Sequence, residues 1–331
     1  MSSLNIGIIG MGVGEAHING YLSHPACKIK TLCDFDPVRL KTVKEKYSEY
    51  RVTEKAIDVL EDPEIDVISI ASFDKYHAEQ IITGLRNGKH LFVEKPLSHL
   101  ESEVKRILLE YKKHPNLKIS SNLILRKSAR FLLLKQMIQS GELGSISNIK
   151  GAYNYGRLHK ITEGWRGEMD YYSGVCGGGV HIIDLMQWLL ESKITCVSAV
   201  GNKVHSQQSK FKQHDLVNAI LSFDNGVIGS FTSDMGCVHP HFHVLDIYGT
   251  KGTFINQPGD AILYTERTNS HPKLIETVYP GVHKGDLIFD FIESILNSSI
   301  PEVSREDIFH TMAVCFAIDK SAQQRTIQMV D

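Results

Sequence analysis

The chain has 331 residues, of which 42% are hydrophobic and 22% are charged, a composition typical of ordinary globular domains. Its 36 basic and 38 acidic residues leave a formal net charge of −2, so nothing favours a nucleic acid or an anionic membrane surface as partner. No apolar run approaches the roughly 18 residues that a membrane-spanning helix needs.

The N-terminus and the cysteines indicate a cellular compartment. The first ten residues lack the basic region of a signal peptide and become glycine-rich at once. Six cysteines are scattered along the chain without a C-x-x-C spacing, as expected of reduced thiols rather than a disulfide framework. We therefore expect a soluble, cytoplasmic protein.

The first part of the chain alternates strands with helices. The predicted strands are apolar throughout, at 4–9, 28–33, 65–71, 91–93 and 117–121. The predicted helices between them include 37 onward, 75–86 and 99–114. Continuous apolar strands joined by helices are typical of a parallel sheet covered on both faces. Residues 1–122 are therefore predicted to form a doubly wound α/β domain of the Rossmann type.

A different pattern begins after Asn122. The predicted strands are longer, at 146–155, 196–204, 216–223, 227–232 and 243–248. The predicted helices are 127–140, 181–190, 284–296 and 305–323. A hairpin signal, Asp224-Asn225-Gly226, separates two of the strands. Residues 123–331 are thus predicted to form an α+β domain on a mostly antiparallel open sheet, whose free face pairs subunits in a homodimer or homotetramer.

A glycine loop lies between the first strand and the first helix. It consists of Gly10, Met11, Gly12, Val13 and Gly14. Glycines there let the backbone approach a pyrophosphate, and a helix N-terminus favours its negative charge. Asp34 follows Gly14 by 20 residues, where a carboxylate can accept hydrogen bonds from an adenosine ribose. This arrangement predicts a bound dinucleotide.

Two residues qualify that prediction. Glu15 stands where the usual fingerprint has its third glycine or alanine. Asp34 would repel a 2′-phosphate, which favours NAD, although the nearby Arg39 keeps NADP open.

The strand at 91–93 ends on Glu94-Lys95-Pro96. In an open α/β sheet, ligands bind beyond the carboxyl ends of the strands. A lysine at such an end can hydrogen-bond a substrate hydroxyl, and partial desolvation can tune it for proton transfer. Pro96 would make the turn rigid, with a cis bond as one way of doing so.

Together these segments resemble the glucose-fructose oxidoreductase, inositol dehydrogenase and MocA (Gfo/Idh/MocA) family. The matching stretches are GMGVGEAH, CDFDP, Ala71-Ser72 with His77 downstream, GKHLFVEKPLS, GGGVHIIDLMQWL and AIDKSAQQR. The resemblance covers nearly the whole chain, and the EKP turn is its most specific part. It implies an NAD(P)-dependent oxidoreductase acting on a hydroxyl or carbonyl carbon of a sugar, cyclitol or nucleotide sugar.

The resemblance also implies roles for individual residues. The glycine loop would hold the pyrophosphate, Asp34 the ribose, and Lys95 would lie at the reacting carbon. Further cofactor contacts are implied for Ala71, Ser72, Phe73, His77, Glu94, Asn122, Trp165 and Arg166.

His181 is the predicted acid/base, since an imidazole can take or return a hydroxyl proton as hydride moves. Asp184 lies three residues on, on the same side of the predicted helix, and is predicted to orient the ring. Most relatives carry an aspartate four residues before this histidine, where this chain has Gly177. Candidates to replace it are Asp170, Tyr171, Tyr172, Tyr153 and Tyr155; alternatively, His181 and Lys95 suffice.

Cys237 and His239, His241 and His243 alternate along one segment. Side chains on one strand point in parallel and seldom converge on a tetrahedral centre, and Pro240 interrupts the ladder. We therefore expect no metal here, but a strand rim near the substrate or a subunit interface.

The predicted substrate is a polyhydroxylated small molecule, bound by Arg126, Tyr153, Tyr155 and His181. Arginine forks suit any phosphate that the substrate carries. Gly177 and the irregular third glycine of the fingerprint leave open a non-catalytic nicotinamide-binding regulatory or assembly protein. Among enzymes, the alternative is a lyase or glycosidase that uses NAD transiently.

Overall fold

The computed structural model describes residues 3–268 and 271–330; the first two residues of the N-terminal segment considered above lie outside these ranges. The chain divides into two compact units. The first comprises Met1–Ile124 with His283–Phe309, and the second comprises Leu125–Val282 with His310–Asp331. The sequence analysis assigned 283–309 to the second domain, whereas its contacts place it in the first unit.

Residues 283–309 pack against helix α1 of the first unit, and no local sequence pattern predicts these contacts. Gly20 and Gly285 meet backbone to backbone, and a Cβ on Gly20 would lie 2.7 Å from the Gly285 carbonyl oxygen. His24 is 2.8 Å from Glu293 through its Nε2 atom. A cofactor domain and a substrate domain divided at residue 122 stay a prediction.

The first unit is built on a six-stranded parallel sheet in the order β3-β2-β1-β4-β5-β6. Its strands are β1 Leu4–Ile9, β2 Cys27–Cys33, β3 Arg51–Thr53, β4 Val67–Ile70, β5 His90–Val93 and β6 Ile119–Ser121. Its helices include α1 Glu15–Leu22, α2 Pro37–Lys46, α3 Ile57–Leu60, α4 Asp74–Arg86 and α5 Glu101–Tyr111. The predicted doubly wound sheet is confirmed. Its strand order reverses between β1 and β4, so the loop after β1 lies where such folds bind ligands.

The second unit is built on a nine-stranded sheet in the order β14-β13-β12-β11-β7-β10-β9-β8-β15. Its strands are β7 Ile146–Asn154, β8 Ile194–Asn202, β9 Leu216–Phe223, β10 Ile228–Asp234, β11 Phe242–Gly249, β12 Thr253–Asn256, β13 Ala261–Tyr264, β14 Lys273–Ile275 and β15 Gln328–Met329. All its pairs are antiparallel except β7 with β10. The predicted mostly antiparallel sheet is therefore confirmed.

The remaining helices are α6 Ala129–Gln139, α7 His159–Thr162, α8 Gly164–Gly167, α9 Val180–Leu190, α10 Ile288–Leu296 and α11 Arg305–Gln324. A short 3₁₀ segment, Ile124–Lys127, precedes α6. Within the described ranges, every helix is too short or too polar to cross a bilayer.

Helix α9 covers one face of the second sheet. A Cβ on Gly151 of β7 would lie 2.3 Å from Ile182 of α9, so the missing side chain permits the close approach of helix and strand. A π-helical turn, Val175–Gly179, leads into α9. Its Gly178 and Gly179 lie against the rings of Tyr153 and Phe231. The sequence analysis began this helix at His181 and missed the π-turn.

Arg130 of α6 is fully buried and joins the turn after β12 to Thr277, which follows β14. Its guanidinium donates to Asn256 Oδ1 (2.9 Å), Gln257 O (3.2 Å), Gly259 O (2.6 Å) and Thr277 O and Oγ1 (2.8 Å each). It also lies 4.9 Å from the centre of the Tyr279 ring. All these partners are neutral, so Arg130 serves as a multiple hydrogen-bond donor rather than one half of an ion pair.

We expect Arg130→Met to lower the free energy of unfolding by about 3 kcal/mol, because several buried carbonyl oxygens lose their donor. Urea denaturation followed by circular dichroism measures the change. Gln136→Met, on the exposed side of the same helix, is the matched control and should stay within about 0.5 kcal/mol of wild type. Equal stability of the two variants would contradict the role given to Arg130.

Candidate active site

The glycine loop turns tightly against the end of β4. Gly10 has a φ of +91°, and a Cβ there would lie 2.4 Å from the Ala71 carbonyl oxygen. Gly14 donates to the Gly10 carbonyl oxygen over 3.0 Å, and its own Cβ would meet that oxygen. At Gly12, by contrast, the only atoms near an added Cβ belong to the Arg39 guanidinium, 3.2 Å away. Gly12 is exposed, and the Arg39 side chain is the one that lies beside it among the described residues.

Asp34 lies directly beside this loop. Its Oδ2 accepts from the Met11 amide (2.7 Å) and its Oδ1 from the Asp36 amide (3.0 Å). Arg39 Nε lies 3.7 Å from Oδ2. A carboxylate has about four acceptor positions, so the two backbone bonds leave capacity for ribose hydroxyls. Bare loop backbone next to a carboxylate fits the pyrophosphate and ribose of a dinucleotide.

Glu15, the departure from the usual fingerprint, is directed onto α2. Its carboxylate accepts from Lys46 Nζ and from the Tyr47 hydroxyl (3.2 Å). The hydrogen bond from Lys46 lowers the pKa of Glu15 against the opposing effect of burial. The side chain therefore has cationic and phenolic partners on its own unit, which explains how the glycine loop accommodates an acid at this position.

His77 joins the end of β4 to the EKP turn. Its Nδ1 is 2.8 Å from the Pro96 carbonyl oxygen and its Nε2 is 3.1 Å from the Ser72 carbonyl oxygen. The ring is fully buried. Ser72 Oγ donates to Gln80 (2.7 Å), and the Phe73 ring meets Phe35 edge-on at 5.4 Å. The predicted cofactor contacts of these residues stay predictions.

Glu94 is the centre of a buried network at the end of β5. Its Oε1 accepts from Asn122 Nδ2 (2.6 Å) and is 3.2 Å from His17 Nε2. Lys284 Nζ lies 3.8 Å away, and Asn122 also donates to the Lys284 carbonyl oxygen (2.9 Å). Burial would raise the pKa of Glu94, but Lys284 and the hydrogen bond from His17 hold it below its ordinary value. Glu94 is therefore an ionised carboxylate inside the unit.

The sequence analysis missed two members of this network. His17 stands in the GMGVGEAH motif, and its Nδ1 also lies 2.7 Å from Ser69 Oγ on β4. Lys284 belongs to the segment 283–309. The sequence around Lys284 does not indicate that it lies near the end of β5. Lys95 follows Glu94 and precedes a cis bond to Pro96, as the rigid-turn interpretation allowed.

In the second unit, Asp184 of α9 forms an ion pair with Arg126. Arg126 Nε donates to Oδ2 over 3.0 Å and Nη2 donates to Oδ1. Both side chains are at least 97% buried. The sequence analysis did not predict this ion pair. The orientation of His181 by Asp184 and the binding of substrate by Arg126 remain predictions.

A cluster of aromatic and imidazole rings reaches His181 through His243. Tyr153 stacks on Tyr155 at 5.7 Å and lies 5.2 Å from His241 and 5.5 Å from His243. His243 in turn lies 6.2 Å from His181. The structure thus brings together three of the predicted substrate-binding residues, Tyr153, Tyr155 and His181, with His241 and His243. The sequence analysis expected the segment of these two histidines to be a strand rim near the substrate or a subunit interface.

The other predicted cofactor contacts of this unit lie on and beside α8. The Arg166 guanidinium lies 4.2 Å from the centre of the Trp165 ring and 5.9 Å from that of Tyr172.

Within the described residues, no group of three or more histidine, cysteine, aspartate or glutamate side chains is arranged to hold a metal ion.

Comparison with known proteins finds similar chains and a similar solved structure. The chain is 27% identical to the uncharacterized oxidoreductase YrbE of Bacillus subtilis, over 90% of this chain and 84% of that one. It is 22% identical to a myo-inositol 2-dehydrogenase of Thermotoga maritima, over 97% of each. A levoglucosan dehydrogenase solved with NADH and levoglucosan has the same fold, with a TM-score of 0.87 and 22% identity over 99% of this chain and 100% of that one.

Two family descriptions match the chain directly. Residues 4–121 match the oxidoreductase family with an NAD-binding Rossmann fold. Residues 131–255 match the GFO/IDH/MocA C-terminal domain. The first match contains the glycine loop, Asp34 and the Glu94 network, and the second contains His181 and its surrounding rings. The chain therefore belongs to the GFO/IDH/MocA family of NAD-binding oxidoreductases.

Proposed function

We propose that this protein is a dehydrogenase or reductase that transfers hydride between a nicotinamide and a CH–OH or C=O carbon of a sugar or cyclitol. The observation that carries the proposal is the ionised Glu94 network, which fixes the turn bearing Lys95 at the end of β5. The named activities of relatives, on myo-inositol and levoglucosan, support this substrate class.

The bound cofactor would supply the hydride acceptor or donor, and the chain would supply the groups that move the proton. Lys95 would hydrogen-bond the reacting oxygen through its ammonium. His181 would take or return the hydroxyl proton, a role that an imidazole can fill. The ring-lined surface around His181 suits the faces and hydroxyls of a polyol, because tyrosine and histidine offer both apolar contact and hydrogen bonds.

NAD is the cofactor that the ribose site favours. Asp34 presents a carboxylate at the loop, and a 2′-phosphate there would meet like charge. Arg39, 3.7 Å from Asp34, partly offsets that repulsion. The balance between these two side chains sets the preference between NAD and NADP.

The open face of the second sheet is the surface that we propose for self-assembly. Val200, Ile220 and Ile228 are 63%, 61% and 56% exposed there. On the same face Asp246, opposite Lys150 in the register, has one carboxylate oxygen without a hydrogen-bond partner among the described residues, and burial raises its pKa. A second copy would cover the apolar side chains and supply the missing donor, giving a homodimer or homotetramer.

A cytoplasmic location is part of this proposal. None of the six cysteines, all within the described ranges, forms a disulfide, which suits a reducing compartment.

We expect Lys95→Met to reduce kcat/KM for the preferred polyol by about 10² to 10⁴, since it removes a group that acts on the reacting oxygen. NADH affinity, measured by fluorescence titration, should change by less than about twofold. Lys105→Met, an exposed lysine on α5, is the control and should retain full activity.

Undiminished turnover in Lys95→Met would refute the role of the ammonium. The non-catalytic alternative would be favoured if the wild-type protein binds NADH but does not turn over myo-inositol, scyllo-inositol, levoglucosan or D-glucose. Product formed without net NADH would favour transient use of NAD.

We expect Asp34→Asn to raise the ratio of kcat/KM for NADP to that for NAD by at least about tenfold, because it removes the like charge beside a 2′-phosphate. Asparagine keeps an oxygen for the Met11 amide. Adding Arg39→Met should reverse most of the gain, since the guanidinium would then be absent. An unchanged ratio in the single variant would show that Asp34 does not meet the ribose.

We expect Ile220→Glu to dissociate the oligomer, because it places a charge in the middle of the apolar open face. Size-exclusion chromatography with light scattering would show the lower mass. Leu109→Glu, an equally exposed apolar position on α5 (62% exposed), should leave the mass unchanged. Identical masses for wild type and Ile220→Glu would rule out this face as the interface.

A further inference from the structure

The helix that carries His181 begins with a π-turn, Val175–Gly179, which leads into α9. The hydrogen bonds of a π-turn join residues five apart instead of four, so the turn contains one residue more than an α-helical turn. Three of its five residues are glycines, and glycine is a poor helix former because its backbone loses the most freedom on folding. The turn therefore depends on contacts from other parts of the second unit.

The carboxylate of Asp319, on α11, faces the residues at the entry of this turn. Its Oδ2 accepts from the Tyr171 hydroxyl (3.3 Å) and from the Cys176 thiol (3.7 Å). Ser173 adds a side-chain hydrogen bond to the same carboxylate. An ionised carboxylate only accepts hydrogen bonds, at about four positions, so it suits three donors at once. One side chain thus ties the segment before the turn to α11.

Further contacts extend this restraint to the backbone of the turn. The Ser173 hydroxyl oxygen accepts from the Cys176 amide (3.1 Å), and the Ser173 carbonyl oxygen accepts from the Gly177 amide (2.8 Å). Cys315 lies one helical turn earlier on the same side of α11, and its thiol is 4.0 Å from the Val175 carbonyl oxygen. The entry of the π-turn is therefore fixed against α11 by side chains and backbone together.

The exit of the turn is fixed by the sheet. A Cβ on Gly178 would lie 2.1 Å from the Tyr153 ring, and one on Gly179 would lie 2.5 Å from the Phe231 ring. His181 follows two residues later, as the second residue of α9. If the turn relaxed to α-helical geometry, it would lose one residue, and its two sides would rotate by about 100° against each other. The form of the turn therefore determines the placement of the His181 imidazole.

We propose that Asp319 is a positioning residue for the proposed reaction, because it keeps the turn before α9 in its π form and thereby keeps the His181 imidazole in place. The inference rests on the proposed function, in which His181 moves the hydroxyl proton. The substrate-binding groups proposed above lie on elements other than α11, so Asp319 acts through the turn and not on the substrate.

The test compares two variants of Asp319 with a variant of one of its partners. Asp319→Leu removes the acceptor, Asp319→Asn keeps one side-chain oxygen, and Tyr171→Phe removes a single donor. Lys320→Leu, at the exposed neighbouring position of α11, is the matched control. Burial raises the pKa of Asp319 to about 6, so assays at pH 8 keep the wild-type carboxylate ionised.

We expect Asp319→Leu to lower kcat for the preferred polyol by at least about tenfold, because a displaced imidazole loses its alignment with the reacting oxygen. The KM for the polyol and the affinity for NADH should stay within about threefold of wild type. Asp319→Asn should recover kcat to within about threefold of wild type, and Tyr171→Phe should lose about threefold. Lys320→Leu should match wild type.

Hydrogen exchange followed by mass spectrometry gives a readout that does not depend on turnover. In Asp319→Leu the amides of residues 174–181 should exchange at least about tenfold faster than in wild type, whereas those of β8 should be unchanged. If Asp319→Leu does not fold, Asp319→Asn and Tyr171→Phe decide the test. A smaller increase in exchange, confined to residues 174–181, is then the expected result.

Wild-type kcat in Asp319→Leu, or unchanged exchange of residues 174–181 in the folded variants, would overturn the inference and leave the proposed function standing. Equal losses of kcat in Asp319→Leu and Asp319→Asn, with faster exchange throughout the second unit, would also overturn it, since they indicate a general structural role. If wild type turns over none of the polyols, the proposed function is overturned, and with it the part of Asp319 in the reaction.

Discussion

The buried carboxylate of Glu94 is the interaction on which the first unit's ligand-binding end depends. Its oxygen joins α1 through His17, β6 through Asn122, and the returning segment through Lys284. An ionised group in the interior is tolerated only with partners, and removing one partner of such a set typically costs about 3–5 kcal/mol. The same contacts that keep Glu94 charged therefore hold three distant parts of the chain together beside Lys95.

The second unit also contains a buried charge, that of Arg130, which is stabilised in a different way. Its buried arginine, Arg130, has only neutral oxygen partners and the ring of Tyr279, and Tyr279 in turn anchors His243. The charge of Glu94 is balanced by other charged groups, whereas the charge of Arg130 is dispersed over neutral oxygens. The second unit also contains the buried ion pair of Arg126 and Asp184. Contacts thus run from Arg130 through Tyr279 and His243 to His181.

Much of the fold could be predicted because its signals are local. The apolar strands of the first sheet, the glycine loop and the Asp34 spacing each lie within a few residues or one βαβ unit. The long strands β9 and β11 carry the alternation that marks a half-covered sheet. The short strands from β12 onward have only two to four residues each and too little sequence to show a period.

The site was less predictable where its contacts join remote segments. Lys284 meets Glu94 across 190 residues of chain, and no pattern around Lys284 indicates that partner. His243 was found among alternating histidines, but its neighbours Tyr279 and His181 come from other elements. The pairing of Asp184 with Arg126 was missed for the same reason, since each residue had a local interpretation of its own.

The parallel pairing of β7 with β10 has a consequence for how the second sheet is made during synthesis. β7 is the earliest strand of that sheet, yet both its neighbours, β10 and β11, are translated some 80 or more residues later. Contacts so far apart along the chain form slowly, because a long loop must close first. Until then both edges of β7 are open to other chains, so a ribosome-bound or truncated product ending before β10 would be prone to aggregate.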